Sequence, residues 1–140
     1  MPAKDIIHDA VKAALVKDGW TITHEPLSVR LSNFRVMIDF AAEKIGVAEK
    51  VSGRIAIAVE AKSFVGASVI DDLEKAVGQY KLYEKILAKT EPDRTLYLGI
   101  SQRTYSDVFD TPAGRLVIAE LGIKIVVIDL DSQEVAQWIE

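Results

Sequence analysis

The segment Ile55–Lys62, with the sequence IAIAVEAK, decides the fold because it is the most apolar strand-like run of this 140-residue chain. Its apolar and branched residues predict a buried strand over Arg54–Lys62. Glu60 and Lys62 lie two residues apart at the end of that strand, so their side chains project from the same face. A buried charge is costly unless it is paired or binds a metal. This end of the strand is therefore a candidate functional site.

A second carboxylate, Asp39, lies in another apolar run, for which we predict a strand over Arg35–Phe40. If the two strands pair by turning through residues 41–53, Asp39 and Glu60 meet at one end of the sheet. Oxygen ligands suit Mg²⁺, which takes one or two protein carboxylates and keeps several waters. Asp39 and Glu60 are the predicted metal ligands, with the backbone carbonyl of Ala61 as a further oxygen.

Lys62 is the predicted partner of this metal site in catalysis. Hydrolysis of a phosphodiester needs a cation at the phosphate, an activated water and a group that steadies that water. An ammonium on the same face as Glu60 could orient the water or stabilise developing negative charge. The alternative interpretation is that Glu60 and Lys62 form an ordinary salt bridge at an exposed strand end.

The rest of the chain predicts an α/β fold with a mixed central sheet flanked by helices, in a single domain over residues 1–140. The segment Ala41–Val51 stays open, because its periodicity fits a prolonged second strand, a short helix or a loop. The other predicted elements are helices over 3–18, 69–89 (N-capped by Ser68) and Pro112–Leu121, a turn or short helix over 103–110, and strands over Trp20–Glu25, Arg94–Ile100 and Lys124–Leu130.

Composition restricts the class of protein. The chain has no cysteine, which excludes disulfides and thiolate zinc sites. No apolar run approaches the roughly 18 residues of a membrane span, and the N-terminus lacks the apolar core of a signal peptide, so we expect a cytoplasmic protein without a membrane partner.

The net charge is −4, with nine basic and eight acidic residues in 1–70 against eight and thirteen in 71–140. Tight unaided binding to DNA is not predicted by this balance.

The order Asp39, Glu60 and Lys62 resembles the motif of the PD-(D/E)xK nuclease superfamily, with Ile38 where that motif has Pro. The chain as a whole resembles the XisH family, the cyanobacterial excision controlling factors of the fdxN element. The matching stretches are HDAVK (8–12), KDGWTITH (17–24), IDFAAEK (38–44), EAKSF (60–64) and GQYKLY (78–83), which span most of the chain.

This resemblance implies a restriction-endonuclease-like core and a role in developmentally regulated DNA rearrangement, with DNA and a small XisI-like protein as partners. In the superfamily the opening helix often lends an acidic residue to the metal site, and Asp9 matches that position, with His8 beside it. The helix after the Lys strand often adds a polar residue that faces the phosphate. Gln79 matches it, and Tyr83 lies one turn further on the same side. Asp9 is equally readable as a solvated helix residue, and Gln79 as a packing residue.

Two functional interpretations from different classes stand. The first is a Mg²⁺-dependent endonuclease, with Mn²⁺ as a substitute, that controls excision of a DNA element; retention of Asp39, Glu60 and Lys62 together favours it. The second is a nuclease-fold regulator with a weak or idle site that acts through a protein partner, which the acidic balance favours. A small α/β binding domain without metal chemistry is a third, and self-association into a homo-oligomer stays open.

Overall fold

One mixed sheet and a separate hairpin hold all strands of the computed structural model, which describes residues 3–46 and 53–140. In chain order the elements are α1 (Ala3–Lys17), β1 (Thr21–His24), β2 (Leu27–Leu31), β3 (Phe34–Ile38), β4 (Phe40–Gly46), β5 (Gly53–Ala61), α2 (Val69–Thr90), β6 (Arg94–Ser101), α3 (Gln102–Thr104) running into a π-helical turn (Tyr105–Phe109), α4 (Pro112–Leu121), β7 (Ile125–Asp129) and β8 (Glu134–Ile139).

The six-stranded sheet has the order β1-β4-β5-β6-β7-β8. The strands β5, β6 and β7 run parallel, whereas β1, β4 and β8 are antiparallel to their neighbours. The carboxyl ends of the three parallel strands therefore meet at one edge. The predicted fold class, an α/β fold with a mixed sheet between helices, is confirmed, and it is consistent with a restriction-endonuclease-like core.

Helix α1 covers one face of the sheet. Its residues Ile7, Val11 and Leu15 recur at helical spacing and are buried against apolar side chains of β4 and β5. A Cβ at Gly99 in β6 would lie 3.1 Å from methyl groups of both Val11 and Val59. Glycine at this position therefore permits the close approach of the helix to the sheet.

Helix α2 covers the opposite face, together with the β2–β3 hairpin. Ser68 is its N-cap, as predicted, and accepts a hydrogen bond from the amide of Asp71 at 3.3 Å. Tyr80 is buried against the sheet and donates its hydroxyl to the carbonyl of Leu96 at 2.9 Å. No helix within the described parts of the chain is long and apolar enough to cross a membrane.

The strand prediction was wrong in three places. The run predicted as a single strand over Arg35–Phe40 is the end of β3 and the start of β4, with Asp39 at the junction between the two sheets. The hairpin partner β2 was not predicted, and the terminal segment around Trp138 is the edge strand β8. The alternation of apolar and polar residues continues from β3, which pairs with β2, into β4, which pairs within the central sheet. Periodicity alone therefore does not reveal where one strand ends and the next begins. Of the segment left open, residues 41–46 form β4, and residues 47–51 lie outside the described residues.

Candidate functional site

Asp39 and Glu60 hold each other through reciprocal hydrogen bonds at the end of the β4–β5 pair. The register pairs Phe40 with Val59, which brings the preceding Asp39 opposite Glu60. Glu60 Oε1 accepts from the amide of Asp39 at 3.0 Å, and Asp39 Oδ2 accepts from the amide of Ala61 at 2.9 Å. Each carboxylate is thus fixed in position by the backbone of the other strand.

Burial makes this pair electrostatically unusual. The Glu60 side chain is 13% exposed. Burial, followed by the negative charge of Asp39, raises the pKa of Glu60 to about 7, against the opposing effects of the Asp39 amide and the Lys62 ammonium. Two carboxylates held this close in a poorly solvated site favour either a shared proton or a cation between them.

The donor set fits a hard divalent cation. The backbone hydrogen bonds use Asp39 Oδ2 and Glu60 Oε1, which leaves Asp39 Oδ1 and Glu60 Oε2 outside these two bonds. Over residues 3–46 and 53–140, no group of three or more His, Cys, Asp or Glu side chains forms a metal cluster. Two carboxylates are the number that Mg²⁺ commonly takes from a protein. The carbonyl of Ala61 stays a predicted ligand; the residue itself is buried.

Lys62 follows β5 directly and completes the group. Its amide donates to the carbonyl of Gly99 at 2.9 Å, which ties the backbone to β6 beyond the end of the strand. Its Nζ lies 3.8 Å from Glu60 Oε2, and its side chain is 25% exposed. An ammonium in this position lies near the Glu60 carboxylate and is partly exposed to solvent.

Asp9 lies on the exposed side of α1, beside His8. Its side chain is 65% exposed on α1, and its Oδ1 lies 3.6 Å from His8 Nδ1. The His8 ring packs on Phe40 with centroids 4.5 Å apart, so His8 contacts the strand that follows Asp39. Asp9 is thus largely exposed on α1, and its role as a ligand stays a prediction.

Tyr83 and Gln79 lie one turn apart on α2. Burial, followed by the negative charges of Glu60 and Asp39, raises the pKa of Tyr83. Gln79 is half-buried one turn earlier, and its Oε1 is buried without a hydrogen-bond partner among residues 3–46 and 53–140. Its contact with a phosphate stays a prediction.

The matching sequence family is that of the XisH protein, over residues 1–136. The chain belongs to the XisH family. It is similar to the crystal structure of an XisH family protein from Nostoc punctiforme PCC 73102, with 35% identity and a TM-score of 0.87, over 97% of this chain and 100% of that one. It is also similar to an fdxN element excision controlling factor protein from Anabaena variabilis, with 37% identity and a TM-score of 0.86, over 97% and 99% of the two chains. No curated protein matches the chain at a significant level.

Two features of this XisH-family chain were missed by the sequence reasoning. Arg30 and Arg35 face each other across the β2–β3 hairpin, and a cavity of about 450 Å³ opens beside Lys62. The Ser32-Asn33 pair between two apolar, alternating runs is a turn signal that could have revealed the hairpin. No local signal predicts the cavity, because its walls come from segments far apart in the chain.

Proposed function

We propose that this protein is a divalent-cation-dependent endonuclease, using Mg²⁺ or Mn²⁺, that acts in the cytoplasm to control excision of a DNA element. The role in excision follows the relative from Anabaena variabilis, which is named an fdxN element excision controlling factor. The single observation that carries the hydrolytic part is the reciprocal hydrogen bonding of Asp39 and Glu60 beside Lys62. The order of these three residues resembles that of the PD-(D/E)xK superfamily motif.

The residues divide the chemistry between them. Asp39 and Glu60 would hold the cation, and each is already oriented by a backbone amide, so little ordering is needed on binding. When bound, the cation neutralises charge on the scissile phosphate. Lys62 lies on the accessible side of the pair, where its ammonium stabilises the negative charge that develops during attack by water or orients that water.

The hairpin offers a basic surface to DNA despite the net charge of −4. Segment 27–38 contains Arg30 and Arg35 and no acidic residue. The two arginines are exposed and directly opposite each other in the register, an arrangement that destabilises a hairpin unless an anion lies between or beside them. Asp39 directly follows the last residue of β3. Phosphates bound by the two arginines would therefore contact the strand that leads to the candidate metal site.

We expect Arg30→Ser combined with Arg35→Ser to weaken DNA binding without loss of the fold. Removal of two phosphate contacts should make the negative slope of the log of the DNA association constant against log salt concentration shallower by roughly two. The measurement is fluorescence anisotropy with a labelled duplex at several salt concentrations. Arg115→Ser, which removes an exposed arginine paired with Asp110, is the matched control and should leave the slope unchanged. An unchanged slope in the double variant would exclude the hairpin from the DNA interface.

Metal binding is tested by isothermal titration of Mg²⁺ or Mn²⁺ into wild type and Glu60→Gln. The substitution keeps the shape of the side chain but removes the charge that attracts the cation, so the heat of binding is expected to disappear. Glu43→Gln is the control, because Glu43 is similarly buried on the neighbouring strand but faces Arg54 and Arg94. Equal binding by wild type and Glu60→Gln would rule out the site.

The second candidate function is a regulator that acts through a protein partner with an idle site. The acidic pI of about 5.2 favours it, because DNA affinity would then have to come from the partner. Nicking of supercoiled plasmid in Mn²⁺, with and without an XisI-like protein, separates the two. Nicking that requires the partner supports a nuclease subunit; cation binding without nicking in either mixture supports the regulator.

A further inference from the structure

A cavity of about 450 Å³ lies at the edge of the sheet where the three parallel strands end. Lys62 follows β5, Ser101 ends β6 and Leu130 follows β7, and all three side chains line it. The carboxyl ends of parallel strands are the usual place for ligand sites in open α/β sheets. The volume is within the range of small-ligand sites, roughly 300–1,000 Å³.

The wall of the cavity is apolar and partly open to solvent. Ile6, Val65, Val69 and Leu130 line it and each is at least two-fifths exposed, which is an unfavourable arrangement for large aliphatic side chains that have no partner. Phe64 adds aromatic surface and is held edge-on against Phe109, with ring centroids 5.8 Å apart. An apolar, flat group of modest size would be buried favourably here.

Lys62 in the lining of the cavity favours an anion attached to that apolar group. Lys62 belongs both to the cavity and to the candidate metal site, since its Nζ is 3.8 Å from Glu60 Oε2. Arg103 and Asp107 also line the cavity and pair with each other at 3.6 Å, so Lys62 carries the attraction for an anion. A ligand with a flat apolar part in the cavity and a phosphate at Lys62 matches both features, and a nucleotide has this chemistry.

We propose that the cavity binds one unpaired nucleobase of the DNA, next to the scissile phosphate, which a cation held by Asp39 and Glu60 would bind. This inference rests on the proposed function, because it takes DNA as the substrate. A base inside a continuous duplex is stacked and paired and cannot enter a concave site without leaving the helix. The protein should therefore prefer DNA with an unpaired base beside the scissile phosphate, such as a bulge or a junction.

The test compares two labelled duplexes that differ only in one unpaired 2-aminopurine, with Ca²⁺ in place of Mg²⁺ so that a cation is present at the carboxylates while cleavage is slow. Wild type is expected to bind the bulged duplex about tenfold more tightly, since stacking a base on an aromatic side chain contributes an effect of this size. Entry of the base into the cavity should also change the 2-aminopurine fluorescence.

Two variants, Val69→Asp and Leu130→Asp, each place a negative charge in the lining of the cavity. Val69 is the first residue of α2, where an acidic side chain suits the helix dipole, so the fold should tolerate the change. Both variants should bring the ratio of the two affinities close to one. Val16→Asp is the control on α1, because Val16 and Val69 are 54% and 53% exposed. It should keep the preference.

Each outcome decides the inference. Equal affinities of wild type for the two duplexes, or a preference that Val69→Asp and Leu130→Asp both retain, would overturn it, and the cavity would then be left for an apolar side chain of a protein partner. Absence of nicking by a protein that keeps the preference would overturn the hydrolytic function and leave the base site standing. Nicking by a protein with no preference for the bulged duplex would overturn the base site and leave the hydrolytic function standing.

Discussion

Lys62→Ala is expected to reduce cleavage of DNA by roughly 10²–10³-fold while divalent cations still bind. The ammonium lies 3.8 Å from Glu60 Oε2, on the accessible side of the carboxylate pair, where negative charge would develop during hydrolysis. The cation ligands are Asp39 and Glu60, and both are held by backbone amides that the substitution does not touch. The measurements are nicking of supercoiled plasmid in Mn²⁺ and calorimetric titration of the same preparation.

Two further variants distinguish a catalytic role of Lys62 from a general effect of removing a positive charge. Lys85→Ala removes an exposed lysine of α2 near Glu84 and should leave nicking unchanged. Lys62→Arg keeps the positive charge but not the compact ammonium, so partial activity is expected from a role in charge stabilisation. Wild-type nicking by Lys62→Ala would reject the role of Lys62. Loss of cation binding together with nicking would show that Lys62 acts by holding the site together.

The sequence predicted the centre of the fold better than its periphery. The strand that carries Glu60 is strongly apolar and has one interpretation, and α2 begins at a recognisable cap, Ser68. The motif spacing brought Asp39 and Glu60 to adjacent positions because antiparallel pairing of their strands forces this when the register is set by the apolar residues. Local sequence patterns and the pairing of β4 with β5 were sufficient to predict that Asp39 and Glu60 are neighbours.

The remaining parts depend on contacts that the sequence does not encode locally. Asp39 sits where the chain leaves the β2–β3 hairpin for the central sheet, and alternation across Arg35–Phe40 hides that change of partner. Asp9 follows the helical pattern of α1, but the rotation of the helix on the sheet turns it to solvent and buries Val11 instead. Long-range packing sets both outcomes.

Glu60→Gln is expected to stabilise the metal-free protein at pH 8 and to change its stability little at pH 5. The pKa of Glu60 is raised to about 7 in the folded state from an ordinary value of 4.5, so between these values the folded state binds a proton that the unfolded state has lost. The contribution of protonated Glu60 is present below pH 4.5 and is lost as the pH rises through 7. The effect of Glu60→Gln on the free energy of unfolding should therefore differ between pH 8 and pH 5 by about 2–3 kcal/mol.

Urea unfolding in EDTA at the two pH values measures this difference, and Glu43→Gln distinguishes it from a general effect of removing a buried carboxylate. Glu43 lies 3.5 Å from Arg94, whose buried guanidinium also pairs with Glu91 at 2.9 Å, so its neutralisation removes the longer of two ion pairs and should not stabilise the protein at pH 8. Addition of Mg²⁺ at pH 8 should stabilise wild type and not Glu60→Gln, because the cation binds the folded state through the charge that glutamine lacks. Equal stability changes at pH 5 and pH 8 would contradict the electrostatic account of the carboxylate pair, since an uncharged contact has no reason to follow the titration of Glu60.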